Sequence, residues 1–466
     1  MNVRVLQIRL GPYVVGLLVE YNVEGARRIT RFLPDAAYVA DDAAPVLSWA
    51  FKAATPALQR AVWANVLDPL FNGRESSNRK HPSWLLPPFF QNLLPEGALR
   101  DVIARLRGCD PYDHFEMLAA CGGDLPGNVY AQPIELSASE LMGIVTQKED
   151  ALEQTVTVEP MDEGVSVSGI QPKYGVMLEG GRYVARRRDG TTRFIAKLPV
   201  LGYPYLPEVE HVSLSLAAAA GVEVCKTWLA PLSRLMVEHR DAAGDAELTQ
   251  HFLAVARYDR DESRRIHVED FAQILGVMPE DKYSESYLQV AGVLLDAPDL
   301  GEPAVHELFR RLMVNELLGN PDMHLKNMGL RYRDGVTPEF PPAYDIVAHA
   351  LYSPSQGHGL RFLPVEVSKA LGIDPADKEF RQLTPRLVRE FCGLLDMPEK
   401  PVQAVLRQCV MQARKTWPAM IAGAALPLQY KRRLYERFVA HRTVRSLDGR
   451  SGTEPLPDID ALLPVD

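Results

Sequence analysis

Residues 318–330 constrain the fold of this chain most, because they place four polar side chains in a short loop after a helix. The segment reads Leu-Gly-Asn-Pro-Asp-Met-His-Leu-Lys-Asn-Met-Gly-Leu and follows an apolar run with helical periodicity. Asp322 and Asn327 are five positions apart, with His324 and Lys326 between them. A loop of this kind presents a carboxylate, an amide, an imidazole and an ammonium group close to one another.

The residues that follow this loop predict a return of the chain toward it. Two strand-like runs, at 328–332 and 340–344, can pair as a hairpin about Asp334-Gly335, a dipeptide that favours tight turns. Such a hairpin would deliver Asp345, in Ala-Tyr-Asp-Ile-Val, back to the loop. The sequence therefore predicts two carboxylates and an amide in one site.

This arrangement matches the needs of phosphoryl transfer, in which a carboxylate takes a hydroxyl proton and further oxygens hold the metal. The spacing from Asp322 to Asn327 is that of a kinase catalytic loop. Asp and Asn are also common in loops as helix caps and turn formers, so the spacing alone leaves that reading open. Zinc at His324 is disfavoured because no second His or Cys stands at ligand spacing.

Three upstream features add to this pattern. Residues 166–173 read Ser-Val-Ser-Gly-Ile-Gln-Pro-Lys between two strand-like runs, so their backbone N–H groups could face phosphate oxygens or form a plain hairpin turn. Lys197 lies in an apolar strand, where it needs a phosphate or carboxylate partner unless the strand is at an edge and the amine reaches water. Glu210 could be that partner or a solvated acid in the first turns of a helix.

Composition restricts the class of protein. The chain has 466 residues and no apolar run long enough for a membrane helix, and its start lacks the features of a signal peptide. We therefore expect a cytoplasmic protein without membrane contact. The net charge of −9 disfavours autonomous binding to nucleic acid. Five scattered cysteines without a C-x-x-C pair predict reduced thiols instead of a disulfide framework.

The hydrophobic pattern predicts an α+β chain in five parts. Alternation at 6–10, resumed at 14–18, predicts a hairpin, and 208–221 reads as one helix ended by glycine. The parts are a β-rich N-terminal domain at 1–85, a bridging helical segment at 86–150, a sheet-containing lobe at 151–260, a helical lobe at 261–442 and a flexible tail at 443–466.

Taken together, these motifs resemble the HipA family of serine/threonine kinases, the toxins of bacterial toxin–antitoxin modules. Six features carry the resemblance: Asn-Leu-Leu-Pro-Glu-Gly at 92–97, Gly-Gly-Asp at 122–124, the 166–173 loop, Arg-Tyr-Asp-Arg at 257–260 with Ile-His-x-Glu-Asp at 266–270, the 319–327 loop, and Ala-Tyr-Asp-Ile at 343–346. They follow the family's order from about residue 10 to 420.

The resemblance implies a two-lobed protein-kinase-like fold with a small β-rich N-terminal domain, a mostly helical C-terminal lobe, and ATP as donor with Mg²⁺. It assigns Asp322 as the catalytic base, Asn327 and Asp345 as Mg²⁺ ligands, and Ser166 as a site of inhibitory autophosphorylation. The ATP-binding residues by the same resemblance are Ser168, Gly169, Ile170, Gln171, Pro172, Lys173, Lys197, Ala256, Arg257, Tyr258, His324, Lys326, Asn327, Tyr344 and Asp345. Many relatives have an acidic residue at the position of Ala256, so backbone contacts are expected there.

The resemblance also implies partners. These are a helix-turn-helix antitoxin, DNA reached only through that antitoxin, and a protein substrate, which in studied relatives is an aminoacyl-tRNA synthetase. Two other functions stay open at this point. One is a small-molecule phosphotransferase of the aminoglycoside or choline kinase type, which uses a similar Asp-x4-Asn. The other is a catalytically idle co-repressor that binds a DNA-binding partner.

Overall fold

The computed structural model describes residues 2–23, 27–78, 80–144, 153–154, 171, 173–185, 192–236, 249–261, 264–353, 357–374, 381–450 and 453–463. Within these ranges a β-rich N-terminal region, a second sheet and a helical C-terminal region follow one another along the chain. The predicted α+β class and the β-rich start are therefore confirmed.

The N-terminal region is built on a sheet in which the predicted hairpin is present. Its strands are β1 (Asn2–Leu10), β2 (Tyr13–Val23), β3 (Arg27–Pro34), β4 (Arg74–Glu75), β5 (Trp84–Leu85), β6 (Val129–Pro133) and β7 (Glu153–Gln154). Its helices are α1 (Ala36–Ala40), α2 (Pro56–Ala64), α3 (Pro88–Gln91), α4 (Ala98–Arg107), α5 (His114–Cys121) and α6 (Ala138–Ile144). The order in the main sheet is β3-β2-β1-β6, with β7 parallel to β1, while β4 and β5 pair separately. Alternate residues of β1, including Leu6 and Ile8, pack in one core with Phe90.

The second sheet holds the lysine strand in its interior. It comprises β8 (Lys173–Glu179), β9 (Arg182–Val184), β10 (Phe194–Lys197), β11 (Thr227–Pro231), β12 (Leu235–Met236) and β13 (His251–Ala256), in the order β11-β13-β10-β8-β9-β12. The predicted helix at 208–221 is α7 (Leu206–Ala219). Because Lys197 pairs with Lys173 on one side and Leu253 on the other, the edge-strand interpretation of Lys197 is wrong.

The C-terminal region is mostly helical. It contains β14 (His267–Asp270), α8 (Phe271–Ile274), α9 (Tyr287–Asp296), α10 (Gly301–Leu318), β15 (Gly329–Tyr332), α11 (Val365–Ala370), α12 (Pro385–Leu394), α13 (Glu399–Gly423), α14 (Leu428–Ala440), α15 (Arg442–Arg445) and α16 (Ile459–Leu462). One apolar cluster joins α10 and α13 through residues such as Leu312 and Trp417. None of the helices described has the length and apolar character needed to cross a bilayer.

The hairpin predicted from 328–332 and 340–344 does not form. β15 pairs instead with β14, and beyond it only the isolated bridge between Arg331 and Glu339 is made. Pro341 and Pro342 explain the difference, because two consecutive residues without N–H groups cannot continue a ladder. The following segment returns along another route, through a parallel bridge between Val224 and Ala343. Asp345 still lies beside the 319–327 loop, where the Asn320 side-chain amide donates to the Asp345 carbonyl at 3.5 Å.

The C-terminal residues also differ from the expectation of a flexible tail. Val444 and Leu463 are buried in the helical core, and Arg414 on α13 donates to the carbonyl oxygens of Val444 and Glu454. The Tyr435 hydroxyl donates to the Pro457 carbonyl at 2.6 Å. Scattered apolar residues between polar ones are enough to pack this segment, although they give no clear periodicity.

A buried carboxylate joins the N-terminal region to the C-terminal region. Glu269 on β14 accepts hydrogen bonds from Ser48 Oγ at 2.5 Å, Trp49 N at 2.8 Å and the Tyr332 hydroxyl at 2.6 Å. Burial raises the pKa of Glu269 from 4.5 to about 7, although these donors oppose the rise. The folded protein therefore holds a proton on this group between pH 4.5 and 7 that the unfolded chain releases.

This predicts that ionisation of Glu269 weakens the fold as pH rises through that window. The free energy of unfolding of the wild type should fall by on the order of 2 to 3 kcal/mol between pH 5 and pH 8 because Glu269 ionises. Glu269→Gln should not show this loss, because glutamine cannot ionise. Denaturant unfolding at both pH values measures the change, with Glu399→Gln at an exposed ion pair as the control. A difference between variant and wild type that is equal at the two pH values would contradict the prediction.

Candidate active site

Two adjoining cavities meet at the predicted site. The first lies between the second sheet and the C-terminal region, and the second lies over the 319–327 loop. Both are lined by Lys173, Lys197, Lys326, Asn327 and Asp345. Five of the predicted residues, contributed by two strands and two loops, thus form the wall that the cavities share.

The centre of this wall is an ammonium group between two carboxylates. Lys197 Nζ donates to Glu210 Oε1 at 2.5 Å and to the carboxylate of Asp345, so the predicted contact with Glu210 is confirmed. Burial alone would lower the pKa of Lys197, but the two carboxylates raise it above its ordinary value. Burial likewise opposes ionisation of Asp345, yet Lys197 and Lys173 lower the pKa of that carboxyl. Lys197 and Asp345 are therefore both charged at neutral pH.

Asp345 and Lys173 differ from ordinary buried charges. Asp345 has a φ of 54°, a left-handed backbone conformation that is uncommon outside glycine and is found at functional sites. Lys173 is buried, and its ammonium has no hydrogen-bond partner within the described residues. Burial lowers the pKa of Lys173, which Asp345 partly offsets. An incoming anion would offset the cost of burying this ammonium.

The 319–327 loop is held in place by its own polar side chains. Asn327 Nδ2 donates to the Asp322 carbonyl at 2.7 Å, which leaves its Oδ1 as an acceptor or ligand. His324 Nε2 lies 3.9 Å from Asp322 Oδ1, and burial lowers the pKa of His324 to about 4, so the ring is neutral at pH 7. The Asp322 side chain is 43% exposed and opens toward the second cavity.

Lys326, expected at the phosphates, is engaged elsewhere in this structure. Its ammonium donates to the carbonyl and the side-chain oxygen of Asn92, at 2.9 and 3.0 Å, and to Asp270 Oδ2 at 2.9 Å. These contacts use all three of its donors. Lys326 therefore connects the 319–327 loop to the segment between α3 and α4, which contains Asn92. The sequence reasoning did not identify Asn92 or Asp270 as site residues, although both lie within motifs that it singled out.

The first cavity continues into an apolar slot. Ile195, Val255 and Ala256 line it, and the rings of Tyr258 and Tyr344 stack at its edge, 5.4 Å apart. The backbone N–H of Ala256 is already used by the Lys226 carbonyl at 2.9 Å.

The other predicted residues are placed as follows. The guanidinium of Arg257 donates to Asp259 and Thr192, so only the other atoms of Arg257 can line the slot. Gln171 lines the second cavity and donates from Nε2 to the Leu198 carbonyl at 2.7 Å. Ser166, Ser168, Gly169, Ile170 and Pro172 lie outside the described residues.

The donors present fit a nucleotide with its metal. The apolar slot suits an aromatic base, and the buried ammonium groups of Lys173 and Lys197 suit phosphate oxygens. Asn327 Oδ1 and the Asp345 carboxylate supply hard oxygen ligands, which Mg²⁺ prefers alongside substrate phosphates and water.

Comparisons with known proteins identify the family of this chain. The family described as HipA-like C-terminal domain matches residues 165–417, and the HipA N-terminal domain matches residues 6–132. In Sinorhizobium fredii, "Putative kinase Y4dM" is 30% identical over 90% of this chain and 92% of its own length. "Putative kinase Y4mE" of the same organism is 31% identical over 68% of this chain and 78% of its own length.

A solved structure has the same fold. The Shewanella oneidensis toxin–antitoxin complex of HipA, HipB and operator DNA contains a chain with a TM-score of 0.60 and 18% identity to this one. The similarity covers 95% of this chain and 100% of that chain. At this level of identity the likeness concerns the fold, and the predicted two-lobed architecture is confirmed.

Proposed function

The chain belongs to the HipA family, and on that premise we propose that it is an ATP-dependent serine/threonine protein kinase that acts as the toxin of a toxin–antitoxin module. One observation carries the proposal. The Lys197 ammonium, held by Glu210 and Asp345, stands in the wall between an apolar slot and the cavity that contains Asp322. This order supports a nucleotide site on one side and an acceptor site on the other.

Each residue of the site has its own role in the proposed reaction. When bound, Mg-ATP supplies the transferable phosphoryl group, with Asn327 and Asp345 as the residues that would hold the metal. Lys197 and Lys173 offset phosphate charge. Asp322 accepts the proton of the acceptor hydroxyl as general base. Because His324 is neutral at pH 7, it adds no positive charge that would weaken the base.

The proposed partners follow from the relatives. The Shewanella HipA was solved together with HipB and operator DNA, which supports a helix-turn-helix antitoxin as partner here. Contact with DNA would pass through that antitoxin, in keeping with the net charge of −9. We further propose a protein serine as acceptor, with an aminoacyl-tRNA synthetase as the candidate by analogy, and Ser166 as the site at which the kinase modifies itself.

Incubation of purified protein with Mg²⁺ and γ-labelled ATP tests the activity. Label on protein serine, mapped by mass spectrometry to Ser166 or to an added synthetase, is the expected result. Label on a supplied aminoglycoside or choline would instead indicate a small-molecule phosphotransferase. ATP binding without any transfer would indicate a catalytically idle co-repressor.

Toxicity gives a prediction in the cell. Expression of the chain without an antitoxin should arrest growth of a bacterial host, because phosphorylation of an essential protein continues unopposed. Asp322→Asn should relieve the arrest at equal levels of soluble protein, since only the base is changed. Colony counts after induction, with immunoblots for protein level, measure both. Arrest that persists undiminished in the variant would mean that binding, and not catalysis, causes it.

A further inference from the structure

Tyr283 is hydrogen-bonded to Asp322, whose carboxylate must be free to accept a proton in the proposed reaction. Its hydroxyl donates to Asp322 Oδ1, at the group that must accept the proton of an incoming hydroxyl. Tyr283 lies in the loop before α9 and lines the same cavity as Asp322. Sequence reasoning did not identify it, because nothing in its local pattern marks it.

The position of this ring is defined by its surroundings. It packs edge to face on His324, with centroids 5.0 Å apart and planes at 83°, and the Lys282 ammonium lies 5.7 Å from its centroid. The loop is joined to the catalytic loop because Leu325 N donates to the Lys282 carbonyl at 3.3 Å. The phenol is therefore held at the base by contacts on its face, edge and backbone.

The Tyr283 hydroxyl competes with an acceptor hydroxyl for the Asp322 carboxylate. Partial burial and the neighbouring Asp322 raise the pKa of Tyr283, so the phenol stays protonated and donates. A serine hydroxyl or a water molecule would donate to the same carboxylate in the reaction. The ring is 45% exposed, so it can turn into solvent without opening the core.

We propose that Tyr283 is a gate at the acceptor site, whose hydroxyl occupies Asp322 until a bound acceptor displaces it. The proposal rests on the proposed kinase function and deepens it. Its consequence is selectivity between acceptors. Water binds too weakly to displace the phenol, whereas an acceptor held by the surrounding surface can do so, and wasteful hydrolysis of ATP is thereby suppressed.

The contact itself can be tested without ATP. Tetranitromethane nitrates phenolate, so a tyrosine hydrogen-bonded to a carboxylate reacts slowly. Asp322→Ala should raise the nitration rate of Tyr283 about three- to tenfold, the range expected for loss of a half-exposed hydrogen bond of ordinary net strength. Tyr13, at the β1–β2 turn and 41% exposed, serves as internal control and should not change. An unchanged rate at Tyr283 would overturn the proposal whatever the protein's activity.

The gate is tested by hydrolysis of ATP in the absence of any protein acceptor. In hydrolysis the water oxygen bonds to the γ-phosphorus as the bond to ADP breaks, and the water proton passes to Asp322. Tyr283→Phe should raise this rate about three- to tenfold and leave the KM for ATP unchanged, because Tyr283 does not line the first cavity. Tyr13→Phe should match wild type, and adding Asp322→Asn to Tyr283→Phe should abolish the gain.

The outcomes separate this proposal from the function on which it rests. Hydrolysis by wild type with no increase, or a decrease, in Tyr283→Phe would overturn the gate alone, and a lower kcat would make Tyr283 a positioning residue for Asp322. If neither protein binds ATP by calorimetry, the proposed function fails as well.

Discussion

Asp322→Asn is expected to lower phosphoryl transfer about 10²- to 10⁴-fold, the usual cost of removing a general base, while ATP binding is retained. The structure separates these effects, because Asp322 lines the second cavity and not the apolar slot of the first. Asparagine keeps the shape of the side chain and can still accept a hydrogen bond from Tyr283. Single-turnover transfer with labelled ATP measures the rate, and calorimetry with Mg-ATP measures the affinity.

Asp345→Asn provides the matched comparison, because it also removes one carboxylate from the shared wall. This change should weaken binding of Mg-ATP, since a proposed metal ligand is lost. Binding of ATP without Mg²⁺ should stay equal or become tighter, because Lys197 and Lys173 no longer face the competing negative charge. Equal losses of Mg-ATP affinity in the Asp322 and Asp345 variants would refute this division of roles.

Local pattern was sufficient to predict much of this site. The helix from Leu206 is set by a continuous apolar periodicity, and Lys197 stood out because an unpaired ammonium is costly in an apolar strand. The confirmed contact with Glu210 spans only 13 positions in sequence. A charged residue in an otherwise apolar strand therefore predicts an oppositely charged partner when that partner lies on the next element of the chain.

Contacts between distant segments were not predictable in this way. Lys326 binds Asn92 across 234 positions, and Tyr283 reaches Asp322 across 39. The pairing of β15 with β14 was missed for the same reason, because nothing local in either strand marks it, whereas the hairpin after β15 is ended by Pro341 and Pro342. Tertiary packing decides such partners, and one sequence carries no direct record of it.

The largest loss of stability is expected from Asp259, beside the slot. Its carboxylate accepts from Arg257 Nε at 2.9 Å, Arg260 Nη1 at 2.6 Å and the Gly127 backbone at 2.9 Å. Burial alone would raise the pKa of this carboxyl, but the two arginines lower it below its ordinary range. Because Gly127 belongs to the N-terminal region, the group also joins that region to the slot.

Asp259→Asn should lower the free energy of unfolding by about 3 to 5 kcal/mol at pH 7, because among the described residues Asp124 is then the one counter-charge left to two buried guanidinium groups. Asp261→Asn is the control two positions away. Its pair with Arg264 is 3.7 Å long and more than half exposed, so less than about 1 kcal/mol should be lost.

Since folding lowers the pKa of Asp259 from 3.8, its contribution is present above about pH 4 and shrinks as pH falls further. Denaturant unfolding at pH 7 and pH 3 measures both, and equal losses in the two variants at pH 7 would show that burial of this network adds nothing to its strength.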